Sequence, residues 1–254
     1  MMTGGDKERP VIQVGCAGWS IPSTHAERFA PGASHLARYA TRFPAVEIDS
    51  SFYRPHRPAT YGRWADTTPD AFRFAVKVPR TVTHERRLVN TAEPLDRFLA
   101  ETAALGAKRG PVLVQLPPSL AFDPPIATAF WRELRARFDG AVVCEPRHPS
   151  WFGHEADRLF QAWEVARVAA DPARAPHADE PGGWAGLRYL RLHGSPRVYY
   201  DAYDAPYLDR LAHRLVDWAQ HAPVWCIFDN TAAGAATLNA LQLLNLLSDH
   251  YVRP

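Results

Sequence analysis

Ala45–Phe52 reads AVEIDSSF, and its residues fall into two sets by turns: Val46 and Ile48 are apolar, whereas Glu47, Asp49 and Ser51 are polar or charged. Successive side chains of a strand point to opposite faces, so this run predicts one face against an apolar layer and another that accepts carboxylates. The pattern returns in Phe72–Pro79 (FRFAVKVP), where Phe72, Phe74, Val76 and Val78 oppose Ala75 and Lys77. In Pro111–Pro118, Val112, Val114 and Leu116 oppose Gln115; in Ala141–Arg147, Val142 and Cys144 oppose Glu145 and Arg147. In Gly186–Gly194, Leu190 and Leu192 oppose Arg191 and His193. Each strand carries its polar group near its carboxyl end.

Three further β-like runs, Val11–Gly18, Arg167–Asp171 and Val224–Asn230, complete the series. Stretches of helical spacing separate most of them. Leu95, Phe98, Leu99, Thr102 and Leu105 share one side of Pro94–Leu105; Ile126, Phe130, Leu134 and Phe138 share one side of Pro125–Phe138; Leu208, Leu211, Leu215 and Trp218 do so in Tyr207–His221. Strands alternating with helices imply parallel neighbours joined by crossovers. Eight such units in a chain of 254 residues predict a single (β/α)8 TIM-like barrel over residues 11–254, with a flexible N-terminus at 1–10. An open doubly wound sheet would want a GxGxxG fingerprint after its first strand, and Gly15–Ser20 (GCAGWS) is not one. Asp171–Trp184, rich in Pro and Gly, predicts a short or missing helix after the sixth strand.

Composition narrows the class. Hydrophobic residues are 46% and charged residues 22%, ordinary for a folded globular protein. Lys+Arg 29 against Asp+Glu 27 leaves a net charge of +2, which argues against coating nucleic acid through bulk charge. No apolar run is long enough for a membrane span, and MMTGGDKERP lacks the apolar core of a secretory signal, so a cytoplasmic protein without a membrane partner is expected. Cys16, Cys144 and Cys226 lie far apart within apolar runs, as buried thiols do in a reducing compartment. The 23 prolines predict many interrupted connections.

Seven motifs in fixed order carry a resemblance: GCAGW (Gly15–Trp19), VEIDSSFY (Val46–Tyr53), FRFAVKVPRTVTH (Phe72–His84), GPVLVQLPPSL (Gly110–Leu120), CEPRHPSW (Cys144–Trp151), YLRLHG (Tyr189–Gly194) and FDNTAAGAATLNAL (Phe228–Leu241). From Val11 to Leu247 the chain resembles the YecE-like family, a domain of unknown function with a TIM-barrel-like fold. The resemblance implies that fold and brings no reaction with it. The chain departs from the family pattern at Asp49 and Asp229, where asparagine is usual, and at Ile21 and His25, where aromatic residues are usual.

Chemistry is read from the residues. The inward groups cluster at the end of the barrel where TIM-barrel active sites lie. Glu47 and Glu145 are candidate general bases, His193 or His84 a candidate acid, and Lys77 an electrophile stabiliser or Schiff-base amine. Arg147 and Arg191, with Asp49, Gln115 and His148, are candidate ligand contacts, since arginine forks match phosphate or carboxylate oxygens. Asn230 and Thr231 open the last helix, where backbone N–H groups receive anions. Trp19, Tyr53 and Trp151 each follow an inward polar strand end and are candidate stacking platforms. The leading expectation is an enzyme, a hydrolase or lyase, acting by acid–base hydrolysis or elimination on a phosphate- or carboxylate-bearing small molecule such as a nucleotide or sugar phosphate. A non-catalytic nucleotide or nucleic-acid-end binding protein is the second. A metal-dependent phosphodiesterase using Glu47, Glu145, His148 and His193 is the third; the chain has no HxH or HExxH spacing, and no cofactor is expected. Against all of these stands a bland account, in which Glu47, Lys77, Glu145, Arg147 and Arg191 form an interior salt-bridge network that serves folding alone.

Overall fold

The computed structural model describes residues 11–252, so the expected flexible segment at 1–10 lies outside the described residues. The strands are β1 (Ile12–Cys16), β2 (Ala45–Ile48), β3 (Arg73–Lys77), β4 (Arg109–Gln115), β5 (Val142–Glu145), β6 (Val165–Arg167), β7 (Ala169–Asp171), β8 (Gly182–Gly183), β9 (Arg188–Leu192) and β10 (Val224–Phe228). The helices are α1 (His35–Tyr39), α2 (Ser50–Tyr53), α3 (Pro58–Thr67), α4 (Ala92–Thr102), α5 (Pro124–Arg135), α6 (His154–Ala162), α7 (Ala205–Ala219) and α8 (Ala235–Val252). The architecture is the expected TIM-barrel-like one, with all strand pairs parallel except β6 with β8. Its ladders form two sheets, ordered β1-β10-β9-β7 and β2-β3-β4-β5-β6-β8.

Both seams between the sheets have a local cause. At the first, the Tyr39 hydroxyl stands between β1 and β2, accepting from the Cys16 N–H at 2.8 Å and donating to the Ala45 carbonyl at 3.0 Å. Gly15 makes this approach feasible, because a Cβ there would lie 2.1 Å from the Ala45 oxygen. Beyond it the strands meet at the Ala17–Glu47 bridge. At the second seam the expected sixth strand divides: β6 pairs with β5 and β7 with β9, while Val168 between them donates to Cys144 O at 2.8 Å. The short β8 occupies the flank of β6 as an antiparallel partner. No helix stands between β7 and β9, as Asp171–Trp184 predicts.

The alternation sorts the core into two layers. Val46, Ile48, Phe74, Val76, Val112, Val114, Val142, Cys144, Leu190 and Leu192 pack outward with the helices. The opposite set, including Ala45, Ala75, Leu113, Val143, Ala166, Tyr189, Trp225 and Ile227, fills the barrel interior. Tyr189 and Trp225 stack there at 5.9 Å and 11°. Leu95, Phe98 and Leu99 of α4, Phe130 and Leu134 of α5, and Leu208, Leu211 and Leu215 of α7 are buried, as their spacing requires. Prolines open α3, α5 and α7, where the missing N–H has no intrahelical partner to lose, and Asp123 and Asp204 cap the latter two. All three cysteines are free and buried, and burial pushes the Cys16 thiol up to about 12. No helix among the described residues is long and apolar enough to cross a membrane.

Candidate active site

Above the apolar plug the interior turns polar, in two tiers. Arg191 of β9 is the hub of the lower tier. Its Nε and Nη2 donate to the two oxygens of Glu47 at 3.1 and 2.7 Å, its Nη1 to Glu145, and its Nη2 to Asp229 at 3.0 Å. The Tyr189 hydroxyl donates to Glu47 at 2.8 Å, and Gln115 Nε2 to Glu145 at 2.9 Å. His193 spans two carboxylates, with Nε2 3.0 Å from Glu145 and Nδ1 2.9 Å from Asp229. Glu47 and Arg191 are fully buried, and Glu145 and His193 nearly so.

The electrostatics follow from these contacts. Burial acts to lower the His193 pKa, but Glu145 and the hydrogen bonds to Asp229 and Glu145 overrule it and raise the ring's affinity for a proton. Both nitrogens face acceptors, so the imidazolium is the form that satisfies the site. Burial pushes the Glu145 carboxyl up, yet Arg147, Arg191 and His193 together hold it well below the usual carboxylate range. Asp229 is likewise lowered against its burial, chiefly by Arg191 and then His193. Glu47 is the exception, raised because burial outweighs Arg191. Even so, both its oxygens only accept, which is the carboxylate's pattern. Arg191, Arg147 and Lys77 set against Glu47, Asp49, Glu145 and Asp229 leave one surplus negative charge, and protonated His193 removes it.

The upper tier is an open cleft of about 570 Å³ at the carboxyl ends of the strands. Asp49, Phe52 and Tyr53 reach it after β2; Lys77, Arg80 and His84 from the end of β3 and beyond; Gln115 from β4; Arg147 after β5; Tyr199 and Tyr200 after β9; Asp229, Thr231 and Ala232 after β10. Lys77 Nζ lies 2.7 Å from Asp49 and 4.2 Å from the centre of the Phe52 ring. Arg147 is anchored by its Nε on Glu145 at 3.0 Å. His84 Nδ1 lies 2.8 Å from Thr83 Oγ1. Burial lowers the His84 pKa, and Lys77, Arg147 and Arg80 lower it further, so the ring is neutral at neutral pH.

Most of the expected site residues converge here, at two depths. Asp49, Tyr53, Lys77, His84, Gln115, Arg147 and Thr231 line the cleft. Glu47, Glu145, Arg191 and His193 lie beneath it, so of the five expected acid–base and electrophilic groups only Lys77 and His84 face the space a ligand would enter. Four expected contacts are corrected. Trp151 is a core residue, 1% exposed, whose Nε1 donates to Leu120 O at 2.9 Å and whose ring stacks on Phe160. Trp19 packs edge-on against Trp64, 5.0 Å between ring centres, outside the cleft lining. His148 caps the short turn Pro149–Phe152 by accepting from the Ser150 N–H. Asn230 points away to tie loops together, donating to Asp201 O and Asn239 Oδ1, both at 3.0 Å. The donors named for a metal therefore do not form one ligand set: His148 stands apart, and Glu47, Glu145 and His193 already bind one another's partners. Among the described residues no trio of His, Cys, Asp and Glu is arranged to hold a metal ion.

Sequence reasoning missed Arg80 and the central role of Asp229, and it set Tyr199 and Tyr200, which lie in a connection at the same end, behind Trp19, Tyr53 and Trp151. Asp229 was legible as the first residue beyond an apolar strand end. Tyr199 depends on a loop path, with a left-handed backbone at φ 70°, that no periodicity encodes.

Comparison with known proteins agrees with the fold. A family model described as "Protein of unknown function DUF72" matches residues 13–254. The UPF0759 protein YecE of Escherichia coli (strain K12) is 31% identical over 179 residues, covering 67% of this chain and 62% of that protein's length. The UPF0759 protein YunF of Bacillus subtilis (strain 168) is 26% identical, covering 95% of this chain and 96% of the relative. A crystal structure of a DUF72 family protein from Enterococcus faecalis superposes with a TM-score of 0.78 at 22% identity, covering 94% of this chain and 96% of that one.

Proposed function

Since this chain belongs to the DUF72 family, in which the barrel comes without an attached reaction, we propose from its own cleft that it is an enzyme for a small molecule bearing a phosphate or carboxylate group. The observation that carries this reading is the gathering of Lys77, Arg80 and Arg147 around a neutral His84 in one open cleft. Arg147 is held from below by Glu145, so its fork is set in place before a ligand arrives. His84, fixed through Nδ1 by Thr83, is the general base that takes a proton from water or from a carbon next to the anion. Lys77 neutralises charge developing on the departing oxygen. The outcome is hydrolysis or elimination.

The test is a binding and turnover screen of small phosphorylated and carboxylated compounds, read by calorimetry and product analysis. Arg147→Met should weaken binding of any hit at least tenfold, and Lys77→Met should do likewise. His84→Gln should retain binding and lose turnover. A hit whose affinity ignores both cation variants refutes the reading.

A non-catalytic nucleotide binder is favoured by one observation of its own. Tyr53, Tyr199 and Tyr200 line the cleft while 68%, 38% and 43% exposed, as rings awaiting a base would be. Tight nucleotide binding with no turnover, lost in Tyr199→Ala, would establish it.

A further inference from the structure

A second groove opens beside the cleft. It holds about 200 Å³ and runs between α2, the segment Pro79–Thr81 and α4. Phe52, Tyr53 and Arg80 belong to the walls of both spaces, so the groove continues the cleft sideways. Their linings differ in kind. The cleft is lined mainly by polar and charged groups, with Lys77, Arg80 and Arg147 beside Asp49 and Asp229. The groove's charges balance, Arg54, Arg80 and Arg97 against Glu85, Glu93 and Glu101, with Arg80 paired to Glu85 at 3.0 Å and Arg97 to Glu101 at 2.8 Å. The apolar surface between them comes from Phe52, Pro55, Pro79, Pro94 and Phe98. Proline and phenylalanine faces are flat and rigid, and a neutralised rim penalises a charged guest without repelling an uncharged one.

We propose that this groove is a subsite for an uncharged, flat ring carried on the anion that the cleft holds, so that the ligand is an aryl or nucleoside ester of phosphate rather than a free anion or an open-chain acid. The inference rests on the anion reading of the cleft and names the rest of its ligand. Tyr53 and Arg80 mark the junction, where the ring meets the anionic group.

The experiment measures inorganic phosphate and phenyl phosphate by calorimetry on the full chain, with Arg97→Trp as the variant. Arg97 is 61% exposed on α4 and lies outside the cleft, so an indole there obstructs the groove while Lys77 and Arg147, which line the cleft alone, are left in place. Phenyl phosphate should bind at least tenfold tighter than inorganic phosphate to the unmodified chain. Arg97→Trp should abolish that advantage and leave inorganic phosphate binding within twofold. Thr81→Trp, from the opposite wall, gives the same comparison if the first variant folds poorly. Equal binding of the two probes overturns the subsite and leaves the anion cleft standing. Failure of both probes to bind overturns the cleft reading and the subsite with it.

Discussion

Arg191→Met is the substitution on which the two-tier arrangement makes its sharpest demand. The guanidinium is fully buried and donates to Glu47, Glu145 and Asp229. Methionine approximates its stem and removes its charge, which strands three carboxylates with only His193, Arg147 and neutral donors to face them. Removing one partner of a buried pair costs about 3–5 kcal/mol, because the remaining charge stays desolvated. With three acceptors deprived, the upper end of that range is the expectation. A chain of this size loses roughly 2–4 °C of Tm per kcal/mol, so the melting point should fall by about 10 °C or more at pH 7.5.

The pH dependence separates this cause from a packing defect. In the unmodified chain Glu145 and Asp229 are depressed, so their stabilisation is present above the unfolded carboxyl pKa and lost as pH falls through their folded values. Without Arg191, Glu47 and Asp229 lose the largest charge that opposes their burial, so the folded value of Glu47, already raised, rises further and that of Asp229 rises with it. The variant then loses stability as pH climbs, and the gap between the proteins narrows steadily toward pH 5. Thermal melts followed by circular dichroism across pH 5–8 measure this. Adding Glu47→Gln to Arg191→Met should restore part of the loss, since it deletes one stranded charge. A fall of less than about 3 °C at pH 7.5, or a gap that does not change with pH, refutes the charge argument.

Two other outcomes are expected. His193 has a raised folded pKa, so its contribution is complete below the unfolded value and lost as pH rises through the folded one; the unmodified chain should lose stability on the alkaline side of neutrality, His193→Gln should flatten that limb, and nitrogen chemical shifts should show the ring doubly protonated at pH 7. Trp151→Ala should cost about 3–5 kcal/mol in urea denaturation, as a large core deletion does, while leaving ligand affinity unchanged; a selective loss of affinity would return Trp151 to the cleft.

The fold was legible because a parallel barrel writes its two faces into each strand with a period of two. Val46 and Ile48 against Glu47, or Val112 and Val114 against Gln115, need no tertiary knowledge to sort. The seams were not legible. Tyr39 inserts its hydroxyl between β1 and β2 from a helix, and the division at Val168 depends on β8 arriving from a segment without any apolar pattern. Nor were the aromatic positions beyond the strands. Trp151 and Tyr53 both follow an inward polar strand end, yet one is 1% exposed and the other 68%, because a chain that has left the sheet no longer obeys its alternation.

Depth was the missing coordinate for the site, and it has a simple physical scale. Two residues along a strand advance the chain by about 6.6 Å on the same face. Glu47 lies inside β2 and Asp49 just past its end, with side chains 0% and 27% exposed; Glu145 ends β5 and Arg147 lies two residues beyond it, at 2% and 13%. In each pair the first residue is sealed in the lower tier and the second stands in the cleft. A structural ion network and an open cleft above it are therefore compatible. A buried network seldom outperforms apolar packing on stability alone, so its retention asks for a second reason. The contacts supply one: Arg191 and His193 grip one oxygen of Asp229, and Glu145 grips Arg147 by its Nε, which leaves a carboxylate and a guanidinium of the cleft oriented by groups that no ligand can reach. The lower tier is the mount, and Arg147, which it holds in the cleft, is among the residues to which the proposed function assigns the ligand.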